Sequence, residues 1–207
     1  GVKRMKTGHA GTLDPLATGV LILCTGRATK RIEELQAHTK EYTATLQLGA
    51  TTASYDMEHP VDATYPTAHI TRELIEEKLK AFVGEIQQVP PAYSACKVNG
   101  DRAYDLMRKG RDVELKPKTL RIDEIELTSF SPELMQMSIR VVCGKGTYIR
   151  ALARDIGEAL GSGAYLTALR RTRVGNVHVE DCITLEDFPQ WLDKQTIEDI
   201  TTEENKI

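Results

Sequence analysis

The sequence predicts an α+β chain: a mixed, largely antiparallel central sheet flanked by helices and loops. Three observations carry this. Tyr42, Ala44, Leu46 and Leu48 alternate with Thr43, Thr45 and Gln47, the period-two pattern of a half-buried strand. Thr119 to Phe130 and Leu134 to Cys143 form two β-rich runs around Ser131-Pro132, which reads as a strand pair. Helical spacing recurs elsewhere, with Ile149, Leu152, Ala153, Ile156 and Leu160 on one face. Strands and helices are intermixed and the strands fall in hairpin-like pairs, which is the α+β pattern. A length of 207 residues suits one domain or two small ones, with chain enough for a substantial core.

Taken in order, Val20 to Cys24 is a short apolar run and predicts a buried strand. Thr29 to Ala37 predicts a short helix with Ile32 and Leu35 inward. The strand of Tyr42 to Leu48 stops at Gly49. Tyr55 to Thr67 is polar and contains prolines, so it predicts a loop. Thr71 can cap a helix running to about Val83, with Leu74, Ile75, Leu79, Phe82 and Val83 inside. Val89 to Ala95 is extended, because Pro90 and Pro91 forbid a helix interior. Asn99-Gly100 signals a turn, and Ala103 to Lys109 a short helix. After Gly144-Lys145-Gly146, Thr147 is placed to cap the helix of Tyr148 to Leu160, which Gly161 ends. Val174, Val177 and Val179 suggest a final strand. Leu185 to Trp191 is expected to pack back on the body, and the last dozen residues to fray.

The net charge of −3 gives no sign of a nucleic-acid binder; its distribution says more, although any single basic cluster reads first as a solvated surface face. From Glu180 to Ile207 nine acids face only Lys194 and Lys206, so this segment carries −7 and the rest of the chain +4. Basic clusters stand in the body: Lys3-Arg4-Lys6, Arg27-Lys30-Arg31, Arg108-Lys109-Arg111, Lys116-Lys118, Lys145-Arg150-Arg154 and Arg170-Arg171-Arg173. A concentrated basic face binds phosphates even on an acidic chain. Cys24, Cys96, Cys143 and Cys182 are widely spaced with no Cys-x-x-Cys, which speaks against a zinc ribbon. The first three sit in apolar or small-residue contexts and read as core thiols, consistent with a reducing, cytoplasmic setting. The five histidines show no ligand spacing, so no metal site is expected. No apolar run approaches the ~20 residues of a membrane span, and no signal peptide is visible.

Chemistry concentrates in Gly8-His9-Ala10-Gly11-Thr12-Leu13-Asp14-Pro15-Leu16-Ala17-Thr18-Gly19-Val20-Leu21. Asp14 stands between glycines and before Pro15, which biases it toward an extended backbone. The segment therefore holds an acid on a shaped loop beside a buried strand, where chemistry commonly sits. The same residues also make an ordinary turn. The glycine spacing does not fit a dinucleotide fingerprint, and no Gly-Lys-Ser/Thr follows for a phosphate loop.

The Gly8–Leu21 segment resembles the catalytic-aspartate motif of the TruB family of tRNA pseudouridine synthases. Lys40-Glu41-Tyr42, Gln88 to Tyr104, Lys145 to Gly157 and Ala164 to Thr172 resemble further signatures of that family, in its order. The resemblance spans roughly Lys6 to Val179 and implies the pseudouridine synthase fold. It predicts a catalytic domain over 1–179 and a short acidic segment over 180–207, too short for the RNA-binding domain that many members add. The strand with a Lys-Pro-x-Gly-x-Thr/Ser segment that usually opens the family's domain is expected to be missing.

The reaction so implied isomerises uridine to pseudouridine in RNA: the N1–C1′ bond breaks, the uracil turns, and C5 bonds to C1′. It needs neither redox chemistry nor energy input, so no cofactor is expected. Asp14 matches the family's catalytic aspartate. It attacks C1′, removes the 2′ hydrogen to give a glycal, or attacks C6; the sequence leaves all three open. The first has the logic of a retaining glycosidase. Arg150 matches an arginine that pairs with the aspartate and favours its ionised form. Tyr148 matches a tyrosine that assists loss of the C5 proton. Tyr42 matches one that stacks on the flipped base, offsetting part of the unstacking cost by about 1–3 kcal/mol. His9 matches a histidine that fills space vacated by flipped nucleotides, and Leu169 an apolar wall of the uracil pocket. Lys97, Arg102, Arg170 and Arg171 are candidates for phosphate contacts.

The expected partner is the T-arm stem-loop of tRNA, with uridine 55 as target and no obligatory protein partner. Two other readings are a guide-RNA-dependent synthase subunit and an RNA-binding or RNA-folding module without catalysis.

Overall fold

The computed structural model describes residues 5–94, 97–98, 101–102 and 115–195, with backbone alone at 97–98 and 101–102. In chain order, β1 (Thr7–His9), β2 (Ala17–Gly19) and β3 (Leu23–Thr25) lead into a 3₁₀ turn (Gly26–Arg31) and α1 (Ile32–Ala37). Next come β4 (Lys40–Leu48), β5 (Ala50–Thr52), β6 (Val61–Thr64), α2 (Arg72–Lys80) and β7 (Gly84–Gln88). β8 (Lys97–Val98) and β9 (Asp101–Arg102) pair with each other. β10 (Lys118–Ser131), β11 (Gln136–Cys143), α3 (Ile149–Ala159), β12 (Ala164–Val174) and β13 (Val177–His178) complete the body, before α4 (Phe188–Asp193).

One seven-stranded sheet organises the molecule, in the order β13-β12-β4-β11-β10-β7, with β2 beside β12. Every pairing is antiparallel except β2 on β12, so the sheet is mixed and largely antiparallel. The predicted alternation holds along β4: Tyr42, Ala44, Leu46 and Leu48 are buried. They join Met137, Ile139 and Val141 of β11 and Ile149, Leu152, Ala153 and Ile156 of α3 in one core. Fully burying each of the larger side chains contributes about 1.5–3 kcal/mol. The opposite face is polar. Glu41 takes bonds from Arg140 (2.8 Å) and Thr172 (2.9 Å), and Thr45 meets Ser138 at 3.0 Å.

Several expectations are corrected. Val20 to Cys24 is not one strand: Gly19, at φ 100°, turns the chain, and Val20 N–H bonds to the Arg171 carbonyl. Val20 and Cys24 are buried, while Leu21 and Leu23 face solvent. The Thr29–Ala37 helix starts earlier and begins as 3₁₀. β6 lies inside the expected 55–67 loop and pairs with β5. β7 was not foreseen. Thr71 does cap α2, accepting from Leu74 N–H, but Val83 is exposed. Thr147 does not cap α3; its hydroxyl turns back to the Gly144 carbonyl.

The largest correction is β12. The sequence offered only a short terminal strand, yet Ala164–Val174 pairs along the whole of β4. Irregularities at Leu166/Ala168 and Arg171/Arg173 break its period, so the inward set reads Ala164, Leu166, Leu169, Arg171 and Val174. Such bulges re-aim side chains. Around α4, Leu185, Phe188, Trp191 and Leu192 are exposed, so this segment does not pack back on the body. Asn99-Gly100, the 103–109 helix, Cys96 and the frayed end lie outside the described residues. Among those described, no helix is long and apolar enough to cross a membrane.

Candidate active site

A cavity of about 320 Å³ opens where the Gly8–Leu21 loop, the starts of β4 and α3, and β12 converge. Asp14, Tyr42, Tyr148, Arg150 and Leu169 all line it. Residues far apart in sequence thus meet because β4 is central, β12 lies on one side of it, and α3 crosses beneath.

The loop is held from below by Arg171. This side chain is fully buried and donates to three carbonyls: Val20 at 2.7 Å, Gly11 at 3.1 Å and Thr12 at 3.5 Å. Its own carbonyl accepts from Val20 N–H. A Cβ on Gly19 would stand 2.1 Å from that carbonyl oxygen, so only glycine fits. Asp14 sits on the loop crest, where its carbonyl accepts from Ala17 N–H and closes a tight turn through Pro15-Leu16.

Arg150, on the first turn of α3, is nearly fully buried. Its Nη2 donates to Asp14 Oδ1 at 2.7 Å. Nη1 donates to the carbonyls of Tyr93 (3.0 Å) and Ser54 (3.2 Å). Nε faces Asp56 Oδ2 at 3.7 Å, an ion-pair distance but too long for a hydrogen bond. Asp56 is itself buried, with Oδ1 taking Ser54 Oγ (2.5 Å) and Glu58 N–H (3.0 Å). The guanidinium is therefore held between two carboxylates, one internal and one at the cavity. A buried charge is tolerable only when paired in this way.

Between Ser54 and Asp56, Tyr55 adopts a left-handed backbone (φ 61°), uncommon for a bulky residue. Its carbonyl accepts from Leu166 N–H, and its ring lies 4.9 Å from the Arg154 guanidinium carbon. These contacts hold the strained turn that presents Ser54 and Asp56 to Arg150. No local signal marked Asp56; the polar stretch around it reads as loop. Gln88 was also missed as a functional residue. Fully buried on β7, it exchanges two bonds with the Tyr148 backbone, accepting from N–H at 2.9 Å and donating to the carbonyl at 3.2 Å. It thereby fixes the start of α3 and with it Tyr148.

Tyr42 is buried against the cavity floor, and that burial pushes its phenol above the ordinary value. Leu169 is buried in the cavity wall. His9 lies exposed on β1, at the base of the loop and outside the cavity lining. Arg170 is exposed and donates to Thr18 Oγ1 at 3.2 Å. Arg171 is placed differently from the expectation: the bulge at Thr167 turns it inward, where it is buried, bonds to loop carbonyls and lines the cavity. Side chains of Lys97 and Arg102 lie outside the described residues.

The arrangement offers one carboxylate at a cavity edge, an arginine that fixes it, a buried aromatic face and an apolar wall. Residues 1–149 match the model of the TruB family pseudouridylate synthase N-terminal domain, and 150–202 that of the tRNA pseudouridylate synthase B C-terminal domain. The division falls inside the single sheet, since β12 pairs with β4 across it. The chain is 70% identical to the tRNA pseudouridine synthase B of Phocaeicola vulgatus, over 98% of this chain and 86% of that one. It is 71% identical to that of Bacteroides fragilis, over 95% and 84%. Among solved structures it resembles a Cbf5-Nop10-Gar1 complex (TM-score 0.66, 30% identity, 90% of this chain). It also resembles an H/ACA RNP bound to a substrate RNA containing 2′-deoxyuridine (TM-score 0.64, 29% identity, 93% of this chain). The chain spans 46% and 48% of those two solved chains.

Proposed function

The chain belongs to the TruB family of tRNA pseudouridine synthases, and on that premise we propose that Asp14 is the catalytic carboxylate and uridine 55 of the T loop its target. The activity itself, isomerisation of uridine to pseudouridine in tRNA, follows from the family and from the 70% identical relatives. The observation that carries the site assignment is the 2.7 Å bond from Arg150 to Asp14 at the cavity edge.

Uridine inside an RNA stack cannot reach a cavity of this size, so the target must flip out. Tyr42 then supplies a face for the uracil and Leu169 an apolar wall. Arg150 holds Asp14 in place through a charge-assisted hydrogen bond, which is what a carboxylate needs to attack C1′ or C6, or to take the 2′ hydrogen. Asp56 holds Arg150 from behind, so the arginine is not drawn away when Asp14 engages the sugar. Tyr148, set by Gln88 and lining the cavity, assists loss of the C5 proton. Arg171 serves as the support of the catalytic loop.

Arg170 remains a candidate phosphate contact, as do Lys97 and Arg102. His9, at the foot of the loop, is positioned to meet nucleotides displaced beside the target. Folded loops with splayed bases are the usual RNA targets of such sites, which supports the T-arm hairpin. The chain works alone in the cytoplasm by this reading, without a cofactor.

The test is tritium release from a T-arm hairpin labelled at C5 of uridine. Release by the wild-type protein and none by Asp14→Asn supports the reading. Release only on adding a guide RNA favours the guide-dependent alternative. Hairpin binding without release by either protein favours a non-catalytic module.

A further inference from the structure

We infer that Gln36 is a substrate-binding residue, held in the cavity by a clamp from Lys40. Gln36 is on the last turn of α1 and lines the cavity with Asp14 and Tyr42. Lys40, which opens β4, is 94% buried. Its Nζ donates to the Gln36 carbonyl at 2.5 Å and to the His38 carbonyl at 2.6 Å. Two residues on, the same strand carries Tyr42, and period two puts both on one face. The ammonium thus ties the end of α1 to the strand that bears the aromatic floor.

Burying a cation in this way is costly, and burial does push the Lys40 ammonium below its ordinary value. A six-residue helix does not otherwise justify such an anchor. What the anchor fixes is the backbone of Gln36, and therefore where its amide can go. Three cations of the cavity are committed: Arg150 to Asp14 and two carbonyls, Arg171 to three carbonyls, Lys40 to two. Gln36 brings a neutral group with both a donor and an acceptor. Uracil's imide edge shows the complementary pair, an N3–H donor beside carbonyl acceptors, whereas a phosphate shows acceptors only. The amide therefore suits the flipped base better than the backbone. This rests on the reading that the cavity receives the flipped uridine.

Steady-state kinetics on a T-arm hairpin would test it, with wild type, Gln36→Leu, Lys40→Met and the double variant. Loss of one bond to the base is expected to raise KM about tenfold for Gln36→Leu, with a smaller change in kcat. Lys40→Met should do the same, and the double variant should be no worse than about twofold beyond the weaker single, because both remove one interaction. Fully multiplicative effects overturn the clamp. An active wild type with unchanged KM in Gln36→Leu overturns the inference alone. A wild type inert on the hairpin overturns the reading of the cavity and this inference with it. Should Lys40→Met fail to fold, Gln36→Glu decides: it keeps the shape, loses the donor and must also raise KM.

Discussion

Arg150 Nη2 lies 2.7 Å from Asp14 Oδ1, while its Nε faces Asp56 3.7 Å away, so one guanidinium joins a cavity carboxylate to a buried one. The two carboxylates differ in what surrounds them. Asp56 is buried, with Oδ1 bonded by Ser54 and Glu58 and Oδ2 facing Arg150, whereas Asp14 lines the cavity. That asymmetry fits the proposal that Asp14 does the chemistry while Asp56 holds the arginine.

Replacing Asp14 by Asn should therefore remove pseudouridine formation by at least about 10³-fold while hairpin affinity changes less than about threefold. The amide keeps the size and can still meet Arg150, but it is no nucleophile or base. Tritium release and filter binding measure the two quantities. Product at near wild-type rate from Asp14→Asn would remove Asp14 from the mechanism.

Asp56→Asn acts differently. The Arg150 guanidinium loses its rear counter-charge and shifts, and a misplacement of about 1 Å at a reacting group can cost about 10²-fold. The expected result is a kcat lower by about that factor, with KM nearly unchanged. A variant with raised KM and intact kcat would instead make Asp56 a binding residue.

Asp14 was legible in the sequence and Asp56 was not, for a physical reason. The Asp14 loop declares itself locally, through its glycines and the proline that shapes it. Asp56 acquires its role only when α3 delivers Arg150 beneath it, which no local pattern around Ser54-Tyr55-Asp56 encodes. The same contrast separates β4 from β12. Strict alternation from Tyr42 to Leu48 announces a strand, but the bulges in β12 interrupt its period and hide its length. They also turn Arg171 inward, so a residue that looked like one of three surface cations is the post on which the Asp14 loop stands.

Gly19→Ala tests that post. The added Cβ meets the Arg171 carbonyl and the backbone must also hold a positive φ, so the loop has to move. We expect a loss of about 1–3 kcal/mol in urea unfolding and a larger proportional loss of turnover. Wild-type stability together with wild-type turnover would show that the loop does not need this contact.

Glu41 gives a pH dependence. Burial works to raise its carboxyl, but bonds from Arg140 and Thr172 and the charges of Arg140 and Arg173 outweigh it, leaving it below the ordinary value. The unfolded chain then binds the proton more readily, so the stabilisation is present above the unfolded carboxyl pKa and is lost as pH falls through the folded one. Glu41→Gln should cost about 0.5–1 kcal/mol at pH 7, the range of a largely surface pair. The difference should close in unfolding curves taken well below pH 4. A cost that persists unchanged in acid would assign it to packing rather than charge.

Arg170 supplies the last prediction. It is exposed at the loop side of β12, its one described bond is to Thr18, and it stands next in sequence to the cavity residue Leu169. A phosphate held there releases counterions, so removing the cation changes how binding responds to salt and not only how tight it is. For Arg170→Ala, the slope of log affinity for the hairpin against log salt should flatten by about one. Turnover at saturating RNA should fall far less than affinity, because the side chain lies outside the cavity lining. If affinity drops with the slope unchanged, Arg170 acts by bracing Thr18 and the loop beneath it, and the phosphate contact belongs to other cations.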